Sequence, residues 1–359
     1  MKKDHVQLFI PGPVEVAPEV LEAMAQPMIG HRSKEFSDLQ REATEKMRKL
    51  MYTDNMIVFS TSSGTGLLET AIRNTTKKKA IVFSIGAFGN RWYNIAKKNN
   101  IPADKHDVEW GKALKPETVD EYLSTGDYDV VAITHNETST GVMNPAEELA
   151  EVINKYPDVI WIMDAVSSLS GAKIEVDKLG VDFCLTSSQK ALAMPPGLAI
   201  ASVSDKALER AREIENRGFY FDLLRLEKYI KERDHQYPTT PTIPHMYGID
   251  KQLDRILEEG IENRFKRHQK MANYVRDWAK EHFDLFADEN YLSDTVTCIK
   301  NTRNIDIPKL NKELRKRNML IANGYGKLKN DTFRIAHMGE TNIKDIKKLL
   351  ENIEDILNF

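Results

Sequence analysis

Six short apolar runs, separated by amphipathic stretches between residues 56 and 210, constrain this chain more than any other feature. They are Ile57-Val58-Phe59, Ala80-Ile81-Val82-Phe83, Val130-Val131-Ala132-Ile133, Val159-Ile160-Trp161-Ile162, Phe183-Cys184-Leu185 and Leu198-Ala199-Ile200-Ala201. A strand that is apolar at every position has no face to give to water. Helical periods at 66–73, 91–98 and 147–155 fall between several of the runs. Strands buried on both sides and alternating with helices predict a mostly parallel sheet in an α/β domain.

From about residue 205 helical periodicity takes over, broken by Tyr237-Pro238-Thr239-Thr240-Pro241. Short strands near 295–299 and 333–336 and a last helix over 343–357 predict a smaller C-terminal α+β domain. A length of 359 residues fits two domains. The expected division is an N-terminal arm at 1–20, a large domain at 21–258 and a small domain at 259–359. In such a sheet a ligand belongs at the carboxyl ends of the strands.

A net charge of −3, with both signs mixed along the chain, gives no footprint for nucleic acid. The run Lys77 to Lys79 reads as a solvated turn. Two cysteines, Cys184 and Cys298, provide no disulfide framework and suit a reducing compartment. No apolar stretch is long enough for a signal peptide or a membrane span. A cytoplasmic protein with no membrane partner is expected.

The strand ends carry the unusual residues. Ser60-Thr61-Ser62-Ser63-Gly64-Thr65-Gly66 leads from a strand straight into a helix, which suits an anion and equally a capped helix start. It is neither a dinucleotide fingerprint nor a P-loop. Asp164 closes an apolar strand, where an acid needs a positive partner: a protonated pyridine nitrogen, a helix cap or a salt bridge. Lys190, in Ser187-Ser188-Gln189-Lys190-Ala191, follows the next strand. It reads as a desolvated amine nucleophile or as an ordinary strand-end lysine. Taken together, the three match what pyridoxal phosphate requires: a ring-nitrogen partner, an imine-forming lysine and a phosphate cup.

With these residues in place the sequence resembles the class V, fold-type I aminotransferases, in their alanine–glyoxylate and serine–pyruvate branch. The resemblance runs from Pro11-Gly12-Pro13 nearly to the C-terminus. It is most specific at His135-Asn136-Glu137-Thr138-Ser139-Thr140-Gly141, Asp164-Ala165-Val166-Ser167-Ser168, Ser188-Gln189-Lys190-Ala191-Leu192 and Pro195-Pro196-Gly197. It implies a large domain with a seven-stranded type of sheet flanked by helices, and a homodimer with shared sites. It also implies that Lys190 and Asp164 are the catalytic pair. Ser63, Gly64, Thr65 and Gln189 would hold the cofactor phosphate. Phe88 would stack on the pyridine face, where relatives often carry Trp, and Thr138 would bond near the phenolic oxygen. Tyr237 and Thr240 would reach the neighbouring subunit's phosphate, and Arg334 would pair with the substrate carboxylate.

The implied activity is a ping-pong transfer of an amino group from alanine or serine to glyoxylate or pyruvate. Two enzymatic alternatives share the fold. A 2-aminoethylphosphonate–pyruvate aminotransferase would suit the 135–141 and 333–340 segments as well, but Gln189 and Pro195-Pro196-Gly197 lean away from it. A cysteine desulfurase needs a loop cysteine, and both cysteines here fall in strand-like sequence. A non-enzymatic binding protein of this fold would be expected to lack Lys190, Asp164 or Arg334, and all three are present. No metal site is expected.

Overall fold

The computed structural model describes residues 5–359; residues 1–4, the start of the expected arm, lie outside the described residues. All six apolar runs become strands of one seven-stranded sheet. Its order is Met56–Ser60, Ala199–Val203, Phe183–Ser187, Ile160–Asp164, Val130–Thr134, Ala80–Ser84, Ala103–Asp107. Every pairing is parallel except those of Ala199–Val203, which runs antiparallel to both neighbours.

Successive side chains enter opposite cores. Val131, Ile133, Trp161 and Met163 pack on one face with Phe36, Met47 and Leu253, from the helices Lys34–Met51 and Ile243–Glu259. Val130, Ala132, Ile160 and Ile162 pack on the other with Leu67 and Ile72 of the helix Gly64–Thr75. Each large apolar side chain fully buried in this way contributes about 1.5–3 kcal/mol, which is why these strands are mostly apolar and most of their polar residues fall at the ends.

The seventh strand, Ala103–Asp107, was not anticipated because its sequence is polar. It lies at the sheet edge with only Ala103 buried, and Lys105 pairs with Asp107 at 2.8 Å. Charge on an edge strand hinders pairing with another chain, so polarity there is compatible with the fold.

A second sheet has the order Gln7–Phe9, Met319–Asn323, Thr332–Ala336, Val296–Lys300, Asp284–Leu285. Residues from the expected N-terminal arm are therefore built into this sheet, with Phe9 opposite Ile321. The helices Ile261–His282, Ile307–Lys316 and Ile343–Leu357 cover it and contribute Met271, Leu310 and Leu349 to its core. No described helix is long and apolar enough to cross a membrane.

The parallel strands of the large sheet all end along one edge. Ser84, Thr134, Asp164 and Ser187 close their strands there, with Thr134 opposite Asp164 and Ser187 opposite Ala199. The singular residues of the sequence gather at that edge.

Candidate active site

Asp164 ends its strand 4% exposed, and the Val166 N–H donates to its Oδ1 at 2.8 Å. Burial raises its carboxyl to about 6; the negative charge of Glu137 adds to the rise, and Arg91 and Lys190 oppose it. One hydrogen bond leaves a buried acid under-satisfied, so the position favours a cation beside it.

The next strand, Phe183–Ser187, runs into a loop that closes on itself. The Ser188 N–H donates to the Leu198 carbonyl at 2.9 Å, the Met194 N–H to the Ser188 carbonyl at 3.0 Å, and the Ser188 hydroxyl to the Pro195 carbonyl at 2.7 Å. These bonds fix the backbone that carries Lys190. The Lys190 ammonium donates to the Pro11 carbonyl, and its methylenes pass Gly12 so closely that a Cβ there would lie 2.8 Å from Cδ. Gly12 also sits at φ +93°, so two independent constraints require glycine. Burial lowers the Lys190 amine to about 8, and the Arg334 charge acts in the same direction against Asp164.

Across the strand ends, Ser63 is the exposed N-cap of the helix Gly64–Thr75, yet its side chain makes no capping bond. A Cβ on Gly64 would fall 2.9 Å from Val166 Cγ2 and 3.5 Å from Ser187 Oγ. Thr65 Oγ1 accepts from Arg91 Nη1 at 3.3 Å. Ser187 Oγ and Gln189 Oε1 are buried without a hydrogen-bond partner among the described residues. Free hydroxyls, a helix N-terminus and backbone with no room for a side chain make a cradle for an anion.

The remaining predicted residues are placed as follows. Phe88, partly exposed, has the Tyr325 ring 5.4 Å away and the Arg91 guanidinium 4.7 Å from its centre. Thr138 shares a 2.5 Å hydroxyl contact with Ser167. Arg334 is 7% exposed and donates only to carbonyls: Asn323 at 3.2 and 3.0 Å, Thr138 at 3.1 Å. Burial lowers the affinity of that guanidinium for its proton. Tyr237 is buried within its own chain, packed in the core that holds Leu67 and Ile72, whereas Thr240 is exposed. A broad open groove lined by Arg41, Arg48, Asp205 and Asp234 holds none of these groups.

Three further residues stand at the site without having been assigned a role from sequence: Glu137, Arg91 and Tyr325. Glu137 is fully buried and accepts from the N–H groups of Phe88 and Gly89 at 3.0 Å, and from Ser139 N at 3.1 Å and Oγ at 2.6 Å. It thus anchors the first turn of the helix Ala87–Lys98, which carries Phe88 and Arg91. Its place inside the 135–141 motif was the available signal. Cys184 and Cys298 are buried in strands, and burial pushes both thiols up, Cys298 to about 11.

Pyridoxal phosphate needs an amine that can be neutral near pH 8, an acid that accepts a cationic ring nitrogen, and a cradle for a phosphate. The lowered Lys190, the raised and under-bonded Asp164, and the unpartnered Ser187 oxygen beside the Gly64 backbone fit those needs in turn.

Comparison with known proteins gives a consistent picture. The family described as Aminotransferase class-V matches residues 11–327. An uncharacterised aminotransferase of Methanocaldococcus jannaschii is 43% identical over 99% of this chain and 94% of its own length. A serine–glyoxylate aminotransferase of Arabidopsis thaliana is 32% identical over 98% of this chain and 90% of its own. Among solved structures, an alanine–glyoxylate aminotransferase from Nostoc superposes with a TM-score of 0.93 at 27% identity, over 99% of this chain and 96% of that one.

Proposed function

The chain belongs to the class V aminotransferases, which use pyridoxal phosphate, and from that premise we propose that it moves the amino group of alanine or serine to glyoxylate or pyruvate. The observation that carries this reading is Arg334, a buried guanidinium whose hydrogen bonds all go to neutral carbonyls and which is close enough to lower the Lys190 amine. A buried cation without an acid is costly unless an anion arrives. A substrate carboxylate would supply one, with its amino group turned toward the Lys190 amine. The names of the Arabidopsis and Nostoc relatives support glyoxylate as acceptor and serine or alanine as donor.

The cofactor, when bound, supplies a carbonyl carbon to carry the amino group and a ring to accept the electron pair left by the departing α-proton. Lys190 Nζ would take that proton from the donor's α-carbon and pass it to the cofactor carbon that bonds the amino nitrogen. Asp164 would hold a proton on the ring nitrogen, so its buried negative charge would gain a cationic partner. Ser63, Gly64 and Thr65 would hold the phosphate with Gln189, Phe88 would lie against the ring, and Thr138 would bond near the phenolic oxygen. Arg334 would orient the substrate carboxylate through the N–H groups that its carbonyl contacts leave over. With both thiols buried in strands, neither cysteine is offered to a substrate as a sulfur acceptor.

Two such chains form a homodimer in this proposal, with Tyr237 and Thr240 reaching the partner's phosphate. The exposure of Thr240 supports it, while Tyr237 must turn out of its own chain on assembly. A half-reaction panel tests the substrate reading: alanine, serine, aspartate and 2-aminoethylphosphonate are added singly to the holoenzyme while cofactor absorbance is followed. Alanine or serine should convert the cofactor fastest. A response to 2-aminoethylphosphonate alone would replace this reading with the phosphonate one.

A further inference from the structure

Between the strands Met319–Asn323 and Thr332–Ala336 the chain makes a tight excursion that ends over the site. Asn323 organises it. Its Oδ1 accepts from Gly324 N at 2.7 Å and Asn330 N at 2.9 Å, and its Nδ2 donates to Asn330 Oδ1 at 2.8 Å. A Cβ on Gly324 would overlap the Leu328 carbonyl, and Gly326 adopts φ +58°. Lys327 pins the far side, with Nζ 4.2 Å from the Trp110 ring. The same Asn323 turns its carbonyl to Arg334, accepting from Nε at 3.2 Å and Nη2 at 3.0 Å. One residue therefore shapes the loop with its side chain and holds the buried arginine with its backbone.

At the tip stands Tyr325, a large ring left 39% exposed. Its centre lies 5.5 Å from the Arg334 guanidinium carbon and 5.4 Å from the Phe88 ring. We propose that Tyr325 is the side chain that sets donor size, a wall held by the Asn323 loop between the carboxylate anchor and Phe88. This deepens the small-amino-acid reading and rests on it. A carboxylate seated on Arg334 brings the donor's α-carbon and side chain within reach of the ring. Because the loop is closed by four hydrogen bonds and two glycine positions, the backbone that carries the ring is fixed in place. One or two heavy atoms then fit, as in alanine and serine, and branched or aromatic side chains are excluded. A methylene more or less in such a pocket is worth roughly 10- to 200-fold.

The test uses full-length holoenzyme carrying Tyr325→Ala or Tyr325→Phe. Half-reaction kcat/KM is measured for alanine, serine, leucine and phenylalanine. Propionate and 4-methylpentanoate, which cannot react, are titrated by calorimetry, and cofactor affinity is measured alongside. Tyr325→Ala should cut the alanine-to-leucine ratio at least tenfold and abolish the preference for propionate, with cofactor affinity unchanged; Tyr325→Phe should keep both preferences. Unchanged ratios in both arms overturn the proposal. So does a change confined to cofactor affinity, which would make Tyr325 a cofactor contact. If the wild-type enzyme converts no small donor yet shows a propionate preference that Tyr325→Ala removes, the wall stands and only the donor reading falls.

Discussion

Lys190 is a lysine whose surroundings work against its charge. Burial comes first and the Arg334 guanidinium second, bringing the amine to about 8 from the ordinary value of about 10.4. Because the reactive form is the neutral one, apo-protein should take up pyridoxal phosphate at a rate that rises with pH through a midpoint near 8 and levels above it. Removing the neighbouring cation in Arg334→Gln should move that midpoint upward, as stopped-flow absorbance would read. A wild-type midpoint near that of a free lysine would contradict the geometry. Asp164 offers a complementary sign. Its folded value of about 6 lies above the unfolded carboxyl's, so the apo-protein carries a destabilising charge above pH 6 that fades as pH falls through it. Apo Asp164→Asn should therefore be more stable than apo wild type at pH 7.5, by up to about 3 kcal/mol, and bind the cofactor more weakly. The stability gap should close near pH 4. A variant less stable at pH 7.5 would mean that Asp164 is a structural cap. Arg334→Ala should weaken donor and acceptor binding by roughly thirtyfold or more while cofactor content holds, since one partner of a buried charge pair is lost. Unchanged half-reaction constants with a lowered melting temperature would assign Arg334 to packing instead.

At the scale of elements, the helix Ala87–Lys98 depends on an acid from another segment. Glu137 satisfies two of its first N–H groups together with Ser139, all in the interior. Glu137→Ala leaves those donors buried and unpaired, at a cost of about 3 kcal/mol or more. Glu137→Gln keeps one oxygen and should lose less than half of that. Urea denaturation of the two variants reads the difference, and an alanine variant within about 1 kcal/mol of wild type would dismiss the anchor. The six central strands were legible because two-sided burial makes each of them a run of three or four consecutive apolar residues. The strands Ala103–Asp107, Gln7–Phe9 and Met319–Asn323 were not: the first is a charged edge, the second has only Phe9 buried, and the third is half-buried at alternate positions. Lys190, Asp164 and the Ser63–Thr65 turn were legible for a related reason, each being a polar interruption at the end of an apolar run. Glu137, Arg91 and Tyr325 carry no such local signature. Tyr325 comes from the second sheet and meets Phe88 only through tertiary packing, which no spacing along the chain encodes.

For the whole molecule, the two sheets bring their singular residues to one place: Lys190 and Asp164 from the large sheet, Arg334 from the second, and Pro11-Gly12 from the segment that follows the strand Gln7–Phe9. If the partner subunit completes each site, a Lys190→Ala chain assembled with a Tyr237→Ala, Thr240→Ala chain should regain activity, because one of the two sites then has every element. No activity above either parent dimer would confine Tyr237 and Thr240 to their own chain. In the proposed function it is the Lys190 amine that carries the cofactor. The most direct measurement is borohydride reduction of the holoenzyme followed by peptide mapping. One reduced pyridoxyl group should appear per chain, on Lys190, and none on a Lys190→Ala chain. A reduced adduct on any other lysine, or its persistence in Lys190→Ala, would contradict that assignment.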